Sequence, residues 1–173
     1  MVKLLFVCTG NICRSPTADG IMRARIRDAG LEDRIISDSA GTHGYHVGDP
    51  PDPRSIATAR QFGVEIGDLR ARKVCPADLD EFDIIAVAEN AHRRGLLALR
   101  PTPPRAVIRL LPSWLGETGE VPDPYYDDRS FEGVYRLIER SVDALFAEVK
   151  AGLTERAGSE GTGSVMGCSP SSG

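Results

Sequence analysis

A chain of 173 residues with 41% hydrophobic and 27% charged residues can enclose one substantial core unaided, and its composition excludes disordered and fibrous classes. Its formal net charge of -4 comes from interspersed acidic and basic residues, leaving no basic stripe of the kind nucleic acid requires. No apolar stretch approaches membrane-spanning length, and Leu4 to Val7 is too short for a signal-peptide core, so a cytoplasmic setting with reduced thiols and no membrane partner is expected.

In chain order, the apolar run Leu4 to Cys8 predicts a buried strand, since parallel strands covered on both faces read as continuous hydrophobic stretches. A polar Gly-Asn turn follows, then a helix over Thr17 to Ala29 with Ala18, Ile21, Met22, Arg25 and Ala29 on one stripe and Gly30 as its C-cap. Ile35 to Asp38 predicts the second strand and Pro53 to Phe62 a helix ending at Gly63. Ile84 to Ala88 predicts the third strand, Asn90 to Leu99 a helix, and Ala106 to Leu111 the fourth strand. The longest helical pattern, Phe131 to Val149, repeats apolar residues from Val134 to Val149 at helical spacing.

This alternation predicts an α/β fold: a single three-layer domain with a four-stranded parallel sheet, helices on both faces and a phosphate loop after the first strand. The domain is expected over residues 1–152. Residues 153–173 are expected to form a flexible tail, Gly- and Ser-rich from about Ala157, with Cys168 an incidental thiol. Ligands of such sheets bind at the carboxyl ends of strands, where Cys8 stands.

Cys8-Thr9-Gly10-Asn11-Ile12-Cys13-Arg14-Ser15-Pro16 carries the chemistry. A Cys-x5-Arg string alone is a weak signal; on a strand-to-helix turn, with Ser15 read as N-cap and Pro16 as first helical residue, it becomes a phosphate cradle. Backbone N–H groups of a tight loop converge on an anion, and the helix N-terminus adds partial positive charge. That field favours the thiolate of Cys8, which is the nucleophilic form. Arg14 offers a planar fork that holds two phosphate oxygens, which lysine cannot do equivalently.

Cleavage of a phosphate ester by a thiolate also needs a proton for the departing oxygen. The candidate donor is Asp123 in Val121-Pro122-Asp123-Pro124-Tyr125-Tyr126, where prolines stiffen the loop and the tyrosines suit an aryl pocket. The cysteines Cys8, Cys13, Cys75 and Cys168 contain no Cys-x-x-Cys pair, and no histidine follows at ligand spacing, so neither metal nor other cofactor is expected.

Together these motifs resemble the low-molecular-weight protein tyrosine phosphatase family, and the similarity extends through Asp38-Ser39-Ala40-Gly41-Thr42, Tyr45-His46-Val47-Gly48, Asp52-Pro53-Arg54 and Arg70-Ala71-Arg72. The resemblance implies Cys8 as nucleophile, Arg14 as phosphate binder and Asp123 as general acid. It implies a substrate loop of Thr9, Gly10, Asn11, Ile12, Cys13 and Ser15, with Ser15 easing thiolate departure and Asn11 and Ser39 bracing the loop. Tyr45, Tyr125 and Tyr126 would wall a cleft for phosphotyrosine in protein substrates, and phosphate or vanadate would occupy the loop; a monomer is expected, with weak self-association as the alternative. Ile12 stands where relatives acting on phosphoarginine typically carry threonine. Cys13 resembles the family's second cysteine, which can trap oxidised Cys8 as a disulfide; small loop filler is the other reading.

Three departures accompany the resemblance: Tyr45 for a frequent tryptophan, Leu69 for a histidine, and Ala88-Glu89 for Met-Asp, read as changes of support and rim. His46 and His92 read as surface or packing residues, because an acid–base role would duplicate Asp123. Two alternatives stand beside the phosphatase: a thioredoxin-coupled arsenate reductase, for which only Cys75 is present in the relevant segment, and a non-catalytic phosphotyrosine-binding module.

Overall fold

In a computed structural model, which describes residues 1–160, four parallel strands form one sheet. They are β1 (Val2–Cys8), β2 (Ile35–Gly41), β3 (Ile84–Val87) and β4 (Val107–Leu110), in the order β2-β1-β3-β4. Because β1 pairs with β2 on one side and β3 on the other, the chain reverses direction across the sheet there. The crevice beyond the carboxyl end of β1 is therefore the switch point where such sheets bind ligands.

Five helices cover the sheet: α1 (Arg14–Asp28), α2 (Pro53–Gln61), α3 (Asp78–Glu81), α4 (Asn90–Leu97) and α5 (Phe131–Glu160). The period-2 alternation of β1 divides the interior in two. Leu4, Phe6 and Cys8 pack with Ile21 and Met22 of α1 and Ile138, Val142 and Leu145 of α5. Leu5 and Val7 pack on the opposite face with Leu79, Phe82, Ile85, Leu96 and Ile108. Truncating a fully buried member such as Ile138 would cost about 2–5 kcal/mol. Among the described residues no helix is long and apolar enough to cross a membrane.

Several boundaries differ from the sequence pattern. β2 continues past the apolar run to Gly41; its polar residues are partnered, Ser37 donating to Asp19 and Asp38 pairing with Arg72, so no alternation betrays the strand. Helix α1 starts at Arg14 with Cys13 at its N-cap and no side-chain cap bond; Ser15 is not the cap, because its hydroxyl turns to Cys8. Ala29 lies exposed, off the expected stripe, while Gly30 takes the left-handed conformation (φ 64°) that ends the helix. Helix α5 runs through Glu160, so the expected boundary at residue 152 falls inside it: Val149 and Leu153, one turn apart, keep its apolar stripe in the core. Residues 161–173 of the expected tail, with Cys168, lie outside the described residues.

Asp19 on α1 is a buried carboxyl whose pKa burial pushes up to about 6, against the opposing hydrogen bond from Ser37 and the charge of Arg23. The folded state thus holds this proton more tightly than the unfolded chain, so the contribution of Asp19 to stability falls as pH rises from about 4 to about 6. Asp19→Asn, which keeps an acceptor for Ser37, should gain on wild type by about 2 kcal/mol more at pH 7 than at pH 4.5. Urea melts of both proteins at the two pH values measure this; a pH-independent difference would contradict it.

Candidate active site

The loop of residues 9–13 between β1 and α1 is built on one unusual backbone position. Asn11 adopts φ 58°, left-handed geometry that asparagine tolerates better than most residues. Its side chain is fully engaged: Nδ2 donates to Oγ of Ser15 (2.8 Å) and of Ser39 (3.0 Å), and Oδ1 accepts the Arg72 N–H (2.9 Å). Arg72 is in turn anchored to Asp38 and Asp78.

Carbonyls of this segment are bonded away from the cleft. Thr42 N–H donates to Cys8 O (2.9 Å), His43 N–H to Thr9 O (3.0 Å) and Asp52 N–H to Ile12 O (2.8 Å). Gly41 permits this close backing, since a Cβ there would stand 2.7 Å from Thr9 O. Among the described residues no protein acceptor takes the amides of residues 9–13, and α1 presents its uncapped first turn beside them. Unpaired amides at a helix start form an anion site.

Cys8 is 2% exposed, and its Sγ lies 3.0 Å from Ser15 Oγ. Asn11 donates into that same oxygen, and the Ser15 proton, which can also reach Ala40 O at 3.4 Å, is the one available to a Cys8 thiolate. Arg14 is 3% exposed and held along one edge: Nη1 donates to the Glu89 carboxylate and to Val121 O (2.9 Å). Its Nη2 lies 3.3 Å from Asp123 Oδ2. Among the described residues the buried Nε has no partner, so a donor remains for an anion in the cleft.

Asp123 caps the short turn Pro124–Tyr126, accepting the Tyr125 N–H (3.2 Å), and is 39% exposed where its partner Arg14 is sealed. These groups open into a cleft of about 290 Å3 lined by Cys8, Thr9, Gly10, Ile12, Cys13 and Arg14 at its base. Tyr45, His46, Tyr125 and Tyr126 wall it. Tyr125 and Tyr126 meet edge to face at 5.0 Å, and Tyr45 stacks on His43 at 5.2 Å. Arg54, ion-paired to Asp52 and Asp128, lies 5.5 Å from the Tyr125 ring and steadies that wall.

Of the residues the sequence placed at the site, the structure lines the cleft with Cys8, Thr9, Gly10, Ile12, Cys13, Arg14, Tyr45, Asp123, Tyr125 and Tyr126, while Asn11, Ser15 and Ser39 do not line it and are hydrogen-bonded to one another through Asn11. Cys13 is buried beside Ser55, and burial pushes its thiol up to about 12, keeping it protonated at neutral pH. Leu69 packs against the core that contains α1 and α5. Among the described residues no His, Cys, Asp and Glu side chains cluster as a metal site.

Two readings are sharpened by the structure. Glu89, expected among the changes of support and rim, is support: its carboxylate grips Arg14. His92 is no surface or simple packing residue: at 3% exposure its Nε2 sits 2.8 Å from Thr9 Oγ1 and its Nδ1 accepts the Glu89 N–H (3.1 Å). Burial, and secondarily the charge of Arg14, lower its pKa. His46, unlike His92, lines the cleft, 3.2 Å from Asp49. The strand-end rule that located Cys8 would have found Glu89, which stands just after β3 at the same edge.

The sequence model described as low molecular weight phosphotyrosine protein phosphatase matches residues 3–155. The Synechocystis protein slr0328 is 44% identical over 152 residues, covering 86% of this chain and 96% of its own. A Streptomyces coelicolor protein named low molecular weight protein-tyrosine-phosphatase is 39% identical over 161 residues, 90% of this chain and 98% of its own. The crystal structure of YfkJ from Bacillus subtilis superposes with a TM-score of 0.82 at 35% identity, covering 88% of this chain and 96% of that one. The chain therefore belongs to the low molecular weight phosphotyrosine protein phosphatase family and is an enzyme of that class.

Proposed function

We propose that the cleft hydrolyses phosphotyrosine in protein substrates through a cysteinyl-phosphate on Cys8. The observation that carries this reading is the convergence, at one strand end, of the Cys8 sulfur, free loop amides, an unpartnered Arg14 Nε and the exposed carboxyl of Asp123.

In the first step the Cys8 thiolate attacks phosphorus in line. A sulfur–phosphorus bond forms, the phosphorus–oxygen bond to tyrosine breaks, and protonated Asp123 gives its proton to the departing phenolic oxygen. Loop amides and Arg14 bind the three peripheral oxygens and their charge throughout. In the second step Asp123 takes a proton from water, whose oxygen attacks phosphorus; phosphate leaves and the thiolate returns. Ser15, donating to sulfur over 3.0 Å, makes Cys8 a better leaving group there.

Tyr45, Tyr125 and Tyr126 give the cleft aromatic walls and a depth suited to a phenyl phosphate, which leaves a phosphoserine short of the loop. Ile12 at the base favours the aryl ester over phosphoarginine by supplying an apolar contact in place of a hydroxyl. The arsenate reductase reading wants a second cysteine near Cys75, and the sequence has none there. A non-catalytic module has no use for Asp123 beside the loop.

Release of phosphate from a phosphotyrosine peptide and p-nitrophenyl phosphate should persist in EDTA, fall with vanadate and vanish in Cys8→Ser. Retained turnover in that variant removes Cys8 from its role, and faster hydrolysis of phosphoarginine overturns the substrate assignment. Asp123→Asn should lose about 10²–10³-fold in kcat on the peptide. It should lose far less on p-nitrophenyl phosphate, whose leaving group needs no proton; equal losses would show that Asp123 is not the acid.

A further inference from the structure

We propose that His92 is a positioning residue: a single neutral imidazole ties the phosphate loop at Thr9 to the Glu89 arm that grips Arg14, fixing the two halves of the anion site relative to one another. This rests on the phosphatase reading of the cleft and adds to it a residue that does not touch the substrate.

The heavy atoms settle where the proton sits. The Glu89 N–H can only donate, so Nδ1 of His92, 3.1 Å away, is unprotonated and accepts. The ring proton is therefore on Nε2, which donates to Thr9 Oγ1 at 2.8 Å. Charged groups around the ring are Arg14, Glu89, Asp123 and Glu120. Burial and Arg14 oppose a second proton, which would also cost the bond from Glu89, so the neutral tautomer is the one the fold selects.

Each end of this tie reaches the chemistry. At one end, Thr9 directly follows Cys8 and lines the cleft. At the other, the Glu89 backbone is held by His92 while its carboxylate holds Arg14. Packing supports the tie from one side only, because a second cavity of about 250 Å3 lies on that flank of the loop, lined by Thr9, Thr42, His43, Glu89 and His92, so the hydrogen bonds fix what packing leaves free there.

His92→Leu should fold, as judged by its melting curve, yet lose about tenfold or more in kcat, because small misplacements of reacting groups are costly. Its inhibition by inorganic phosphate should weaken in parallel. His92→Gln sets an amide nitrogen close to the position of Nε2 and keeps the donor to Thr9, so it should recover most of the activity. Thr9→Val should match His92→Leu, and the double variant should be little worse than either. Nitrogen-15 NMR of wild-type imidazoles should find His92 protonated on Nε2 alone at neutral pH. Wild-type turnover in His92→Leu, a Gln variant no better than Leu, additive losses in the double variant, or a proton on Nδ1 would each overturn the tie. The phosphatase reading fails separately, through an inactive wild type, while the NMR signature needs no activity.

Discussion

Everything at the cleft depends on a loop whose carbonyls are bonded backwards and whose amides are left free, and Asn11 is the joint that makes this arrangement stable. Left-handed backbone at a non-glycine residue costs roughly 1–2 kcal/mol. Against this stand three hydrogen bonds of one side chain, two of them buried and the one with Arg72 part-buried, each worth about 1 kcal/mol net. The sum favours the bent loop with Ser15, Ser39 and Arg72 all in place and leaves little margin once one is lost, so α1, β2 and the segment before α3 cooperate to shape a site that none of them forms alone. Free amides are tolerable there because the cleft is open to solvent, which satisfies them until an anion arrives.

Arg14 is the other constraint. A guanidinium sealed at 3% exposure needs compensation, since an unpaired buried charge costs several kcal/mol. The compensation is unequal. Glu89 and Val121 O hold Nη1 closely, whereas Asp123 stands 3.3 Å from Nη2 and is more exposed than Glu89. Neutralisation by Glu89 keeps the fork pointed at the loop; the looser Asp123 is free to turn toward a substrate oxygen. Two carboxylates on one arginine thus divide structure from proposed chemistry by distance and exposure.

Much of this was legible in the sequence. The apolar run ending at Cys8 and the glycine-containing turn before Arg14 placed the loop at a strand end, and the long apolar stripe after Phe131 placed α5. Hidden features were those in which a polar side chain serves a distant partner. Ser15 looks like a helix cap, and nothing local reveals that its hydroxyl turns to Cys8 instead. The second half of β2 is polar because its side chains are spent on Asp19 and Arg72, so its hydrophobic pattern stops early. Glu89 and His92 carry no periodic signature; their importance comes from the β1–β3 pairing, which sets the start of α4 beside residue 9.

The site therefore has a rigid back and a compliant front. Behind the anion site, Asn11, Ser39, Arg72, Glu89 and His92 are joined by hydrogen bonds to two strands and a helix, and the burial of Asn11, Ser39 and His92 leaves those three few alternative rotamers. In front, Tyr45 and Tyr126 are largely exposed, and the Asp123 loop is steadied mainly by its own capping bond and by Arg54 with Asp128. Solvent screens an exposed ion pair of the Arg54–Asp128 kind, so it biases the front without locking it. Substitutions behind the loop should accordingly register in the chemical step, and substitutions among the tyrosines in which phosphoprotein is accepted, because only the front can reach residues flanking a phosphotyrosine.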